Sequence, residues 1–67
     1  MSKFAERLKE LRIKNRLTQK QLAEVFNVCP STIRNWEIKG REPKFETLIE
    51  VALFFKVSLD YILGRYD

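Results

Sequence analysis

The sequence predicts an all-α fold of five short helices joined by short loops. Three observations carry that expectation. Apolar residues recur at helical steps in successive segments. Residues that start or stop helices punctuate those segments: Thr18, Pro30 and Ser58 at starts, Asn15, Asn27, Gly40 and Gly64 at ends. No stretch alternates apolar and polar residues as a half-buried strand would.

Each element has its own warrant. Ser2 is placed to cap the first helix, with Glu6 as an acid in its first turn. Phe4, Leu8 and Leu11 form its apolar stripe. Asn15 tolerates a left-handed turn and is expected to end it, after which Leu17 enters the core from the loop. Thr18 and Gln21 have capping-box spacing for the second helix, which carries Leu22, Ala23 and Phe26 inward. Ala23 is small, as the close approach of two helices requires. Asn27 accepts positive φ at the sharp turn, and Val28 follows as an apolar anchor.

Cys29-Pro30 opens the third helix. Proline suits the first helical position, where its missing N–H is not needed, whereas cysteine is a poor cap beside Ser or Thr. Gly40 is expected to end that helix, and Glu42-Pro43 forces extended backbone. Phe45, Leu48, Ile49, Ala52, Leu53 and Phe55 form the expected inward stripe of the fourth helix. Val57-Ser58 breaks the chain with a fresh cap. Leu59, Ile62 and Leu63 make a last short helix closed by Gly64.

Sixty-seven residues allow one domain, expected to occupy residues 1–67. A chain this short buries roughly 60% of its unfolded surface, so a modest stability on the order of 3–5 kcal/mol is expected. No apolar run is long enough to span a membrane, and charged, periodic sequence follows Met1 at once, so no leader is expected. A single cysteine excludes an internal disulfide. With no histidine as well, a structural zinc site and a cysteine–histidine catalytic pair are excluded. A reduced, cytoplasmic protein is the natural reading. No Gly-rich phosphate loop or metal cluster is present, so neither an enzyme nor a cofactor or small-molecule ligand is expected. Charge is uneven. Residues 1–44 hold eleven Lys/Arg and five Asp/Glu, a net +6, while residues 45–67 hold two and four, a net −2. A basic front and an acidic back suit a polyanion on one side.

The stretch from Thr18 to Glu37 reads as a helix-turn-helix on the basic front. At about 100° per residue, Ile33 and Trp36 face inward with Cys29 beside them. Ser31, Arg34, Asn35 and Ile38 face out, Thr32 lies on the flank, and Glu37 falls toward the edge of the outward face. Any bundle helix shows polar residues outward, so periodicity alone does not indicate DNA. The residue types say more. Asparagine pairs bidentately with adenine and arginine with guanine, serine bonds several bases, and proline or isoleucine meets a thymine methyl. Gln19 and Gln21 place amides and backbone N–H groups where phosphates would sit. Lys39, Arg41 and Lys44 follow the third helix and are placed to clamp the DNA backbone. Arg7, Lys14, Arg16 and Lys20 are expected to be solvated. Trp36 is read as core rather than as a base-stacking platform.

Thr18-Gln19, Leu22-Ala23, Val28, Ser31-Thr32-Ile33, Trp36-Glu37, Gly40, Arg41, Pro43 and the closing run Val57 to Gly64 together resemble the phage-repressor (Xre/Cro) helix-turn-helix family. The resemblance covers about Phe4 to Gly64. It implies a compact, five-helix, lambda-repressor-like domain that binds a double-stranded DNA operator, usually as a homodimer on a palindromic site, most often as a repressor. It also implies roles for single residues. Gln19 would contact phosphate and help position a neighbouring reader. Pro30, Ser31 and Asn35 would occupy base-reading positions, Arg34 a base or phosphate position, and Thr32 a phosphate position. Arg12 and Glu37 would form a structural ion pair between the first and third helices. Asn27 stands where glycine is commoner, Cys29 where Ser or Thr is usual, and Pro30 where a polar reader is frequent. The run Glu37-Ile38-Lys39-Gly40 has one residue more than the family's E-x-G form.

A second reading keeps the fold but makes it a protein-interaction module, an antitoxin or an adaptor. It draws on Phe54, Phe55, Tyr61 and Tyr66, which exceed what a small core needs; some of them, with Ile62, are expected to form a dimer surface.

Overall fold

The computed structural model describes residues 3–65. Five helices occur in order: α1 (Lys3–Lys14), α2 (Gln19–Phe26), α3 (Pro30–Ile38), α4 (Phe45–Phe55) and α5 (Leu59–Leu63). No strand occurs among the described residues. The expected Ser2 cap and Tyr66 lie outside them.

Local chemistry starts and stops these helices much as expected. The Thr18 hydroxyl accepts from the Gln21 N–H at 3.0 Å, and the Gln21 side chain accepts from the Thr18 N–H at 2.9 Å, completing the capping box. The Ser58 hydroxyl caps α5 by accepting from the Tyr61 N–H at 3.0 Å. Asn27 ends α2 in the left-handed region at φ 56°. The α1–α2 turn differs from expectation. Arg16, not Asn15, takes positive φ (59°), because the Asn15 amide donates back to the Leu11 carbonyl at 2.7 Å and closes the last turn of α1 itself. Helix α3 stops at Ile38, and Gly40 supplies the positive φ two residues later. Lys56, a position the sequence did not mark, ends α4 at φ 58°.

One core joins all five helices. Phe4, Leu8 and Leu11 of α1 meet Leu22 and Ala23 of α2, Ile33 and Trp36 of α3, Leu48, Val51 and Ala52 of α4, and Ile62 of α5. Trp36 is a core residue. Its ring lies 6.4 Å from Phe4 and 6.5 Å from Phe26, so one side chain ties α3 to both preceding helices. Leu17, Val28, Phe55 and Tyr61 pack around this centre half-buried.

Several expectations about the back of the molecule are corrected. The inward stripe of α4 is Leu48, Val51, Ala52 and Phe55. Phe45 (65% exposed), Ile49 and Leu53 (71%) face out instead. Ile62, expected on a partner surface, is wholly buried. Arg7, expected to be solvated, donates to the Tyr61 carbonyl at 2.8 Å, and its guanidinium lies 4.3 Å above the Tyr61 ring. It thereby fastens α1 to α5. No helix among the described residues is long and apolar enough to cross a membrane.

Candidate nucleic-acid interface

Helix α3 is held along one face and at its last turn. Ile33 and Trp36 anchor it to the core. Behind them lies an ion pair. Arg12 Nε donates to Glu37 Oε2 at 2.6 Å, and Arg12 Nη2 to Oε1 at 3.1 Å. The Arg12 guanidinium also donates to the Leu17 carbonyl at 2.8 Å, tying the α1–α2 loop into the same group. Glu37 was expected at the edge of the outward face. Its side chain is only 1% exposed, because the fork of Arg12 draws it inward and satisfies it.

Gln19 joins this network. Its Nε2 donates to Glu37 Oε1 at 3.2 Å, linking the start of α2 to the last turn of α3. The side chain is half-buried rather than directed wholly at solvent. This bond escaped the sequence, since Gln19 and Glu37 are eighteen residues apart and no spacing rule joins them.

The opposite face of α3 is open. Pro30, Ser31, Arg34 and Ile38 are exposed and Asn35 is half-buried among them, while Thr32 is half-buried on the flank. No described residue hydrogen-bonds to the side chains of Ser31, Thr32, Arg34 or Asn35, and none of the four is paired in an ion pair. The contrast with Arg12, Gln19 and Glu37 is sharp: the inner polar groups are paired with one another and the outer ones are open. Cys29, expected partly buried beside Ile33, is exposed and lies at the N-cap, where no side chain caps α3.

Backbone bonds fix the segment after α3. The Asn35 carbonyl receives the N–H of Lys39 at 3.1 Å and of Arg41 at 3.3 Å. The two cations are therefore tethered to the helix that presents the Asn35 amide, and both side chains are exposed. Ser31, Arg34, Lys39 and Arg41 are thus exposed on α3 or just after it, with Thr32 and Asn35 half-buried between them in sequence and Pro30 at the helix start. Gln19 stands apart, turned toward Glu37. Among the described residues no cluster of His, Cys, Asp or Glu is arranged to hold a metal ion.

The sequence matches known proteins along most of its length. Residues 8–62 fit the family model described as helix-turn-helix. The chain is 36% identical over 64 residues to the uncharacterized HTH-type transcriptional regulator YobD of Bacillus subtilis, covering 96% of this chain and 57% of that one. It is 40% identical over 62 residues to the HTH-type transcriptional regulator ImmR of the same organism, covering 92% and 49%. Repressor protein CI of Enterobacteria phage phi80 is 36% identical over 64 residues, covering 96% and 27%. The chain spans about half the length of the first two relatives. A helix-turn-helix with a paired inner face and an open outer one, in a chain alike over nearly its whole length to such regulators, belongs to the phage-repressor type of the helix-turn-helix family, whose members are DNA-binding regulators and not enzymes.

Proposed function

We propose that residues 1–67 form a single domain that binds double-stranded operator DNA in a sequence-specific manner, as a homodimer on a palindromic site, and represses transcription in the cytoplasm. The observation that carries this reading is the open face of α3. Ser31, Arg34 and Asn35 present hydrogen-bonding groups with no partner in the fold, and the exposed Lys39 and Arg41 are tied by their backbone N–H groups to the Asn35 carbonyl. Ser31, Asn35 and Pro30 are assigned to base edges, Thr32, Lys39 and Arg41 to phosphates, and Arg34 to either. Gln19 reaches phosphate only with the part of its amide that Glu37 leaves free.

Such an interface draws most of its affinity from phosphate contacts, so binding falls steeply with salt. Two copies on one operator would set their α3 helices about 34 Å apart, one turn of the duplex. Selection from random duplex DNA tests the reading. Enrichment of a two-fold symmetric site supports it, and a selection that enriches no sequence contradicts it.

A second reading, a protein-interaction module such as an antitoxin or adaptor, is favoured by the outward side of α4. Phe45 and Leu53 stand exposed there. Val25, Phe26, Asn27, Glu50, Leu53 and Phe54 line an open groove between the end of α2 and α4. A chain that enriches no DNA sequence yet co-purifies with a partner released by Leu53→Glu would favour this reading.

A further inference from the structure

Pro30 differs in kind from Ser31, Arg34 and Asn35, the side chains that follow it on the open face of α3. It is exposed, and its ring carries no group that donates or accepts a hydrogen bond. Cys29, exposed beside it, adds only a weakly polar thiol. The leading end of the face is therefore a carbon and sulfur surface, while Ser31, Arg34 and Asn35 behind it are hydrogen-bonding groups. In a helix-turn-helix the first residues of the second helix reach the base edges. Ile38, the other exposed apolar residue of α3, lies about 12 Å away along the axis, at the trailing end.

A ring without donors discriminates among base edges in one way. Pressed against the N7, O6 or N4 groups of a base, it strips water from a polar atom and returns nothing. The one apolar group on a major-groove edge is the C5-methyl of a pyrimidine, present on thymine and equally on 5-methylcytosine. We propose that Pro30 is a specificity-determining residue that reads a pyrimidine 5-methyl group, so that thymine and 5-methylcytosine are equivalent at the base it faces and unmethylated cytosine is not. This rests on the DNA-binding reading and adds a property to it: methylation of a cytosine at that position tightens binding.

The test uses a duplex enriched from random sequence. Each thymine is replaced singly by deoxyuridine, which removes the methyl and alters no hydrogen-bonding group. For the unaltered protein, affinity should fall about fourfold at one position in each half-site, the effect of one buried carbon. The penalty should vanish for Pro30→Ala, whose folding is checked by circular dichroism. A cytosine placed there should bind about fourfold more weakly than its 5-methyl form. Pro30→Gln, with two amide groups, should shift the preference at that position toward adenine. An enriched operator with no deoxyuridine penalty anywhere, a penalty that persists in Pro30→Ala, or equal binding of cytosine and 5-methylcytosine overturns this inference alone. A selection that enriches nothing overturns the DNA-binding reading with it. If Pro30→Ala does not fold, the deoxyuridine and 5-methylcytosine arms on the unaltered protein still decide.

Discussion

Arg12 near the end of α1 and Glu37 in the last turn of α3 face each other through a two-point contact, 2.6 Å from Nε to Oε2 and 3.1 Å from Nη2 to Oε1. Their side chains are 12% and 1% exposed. The pair sets the seat of α3 against α1, and Gln19 ties the start of α2 to the same carboxylate. Removing one partner leaves the other charge poorly solvated. Arg12→Met or Glu37→Leu alone should therefore destabilise by about 3 kcal/mol in urea unfolding, whereas the double variant should recover much of that loss. Strictly additive losses would contradict the pairing.

The N-terminus of α3 lacks a side-chain cap that a single substitution can supply. Cys29 holds N-cap geometry (φ −73°, ψ 148°) but makes no side-chain cap bond, while Thr18 and Ser58 at the corresponding places of α2 and α5 both do. Cys29→Ser should raise stability by about 0.5–1 kcal/mol, and Thr18→Ala should lower it by about 1 kcal/mol. The urea midpoint reads both. No gain from the serine would show that α3 draws nothing from its cap.

Two glycines with positive φ should respond differently to alanine. A Cβ at Gly40 meets nothing within 4 Å, so only its φ of +68° opposes the change, at about 1 kcal/mol. A Cβ at Gly64 would lie 2.3 Å from Lys3 Cβ and 2.7 Å from Lys3 Cγ, which forces the start of α1 to shift. Gly64→Ala should cost about 2–3 kcal/mol. Thermal unfolding of the two variants side by side checks this, and equal losses would contradict it.

The two faces of α4 can be told apart by truncation. Leu48, buried in the core, should lose about 2–3 kcal/mol on change to alanine. Leu53, open to solvent, should lose less than about 0.5 kcal/mol. A large loss at Leu53 would return it to the core.

This last contrast shows where the sequence was opaque. Helices α1 and α2 each have a main apolar stripe against polar neighbours, with only Ile13 and Val25 off it and exposed, so their periodicity points inward. In α4, Phe45, Leu48, Ile49, Val51, Ala52, Leu53, Phe54 and Phe55 leave almost no polar side except Glu46, Thr47 and Glu50, and a period of 3.6 has little contrast to work with. The Asn15–Arg16 exchange has a different cause. Asparagine's left-handed tolerance is a local preference, and a hydrogen bond from its amide to Leu11 overrode it. At the interface, the outward position of Ser31 and Arg34 followed from helical geometry. The Arg12–Glu37 pair came only through family resemblance, and the Gln19–Glu37 bond and the inward turn of Glu37 required the fold. Tertiary partners far apart in the chain leave no periodic trace.

The most direct measurement concerns Asn35, the half-buried amide in the middle of the open face. Affinity for an enriched operator and for each of its single-base variants should be measured for the unaltered protein and for Asn35→Ala. If Asn35 reads a base, the alanine variant loses about 1–3 kcal/mol on the operator, and its preference flattens at one position in each half-site with the other positions unchanged. An Asn35→Ala protein that keeps both the affinity and the full base preference would contradict DNA reading by this face.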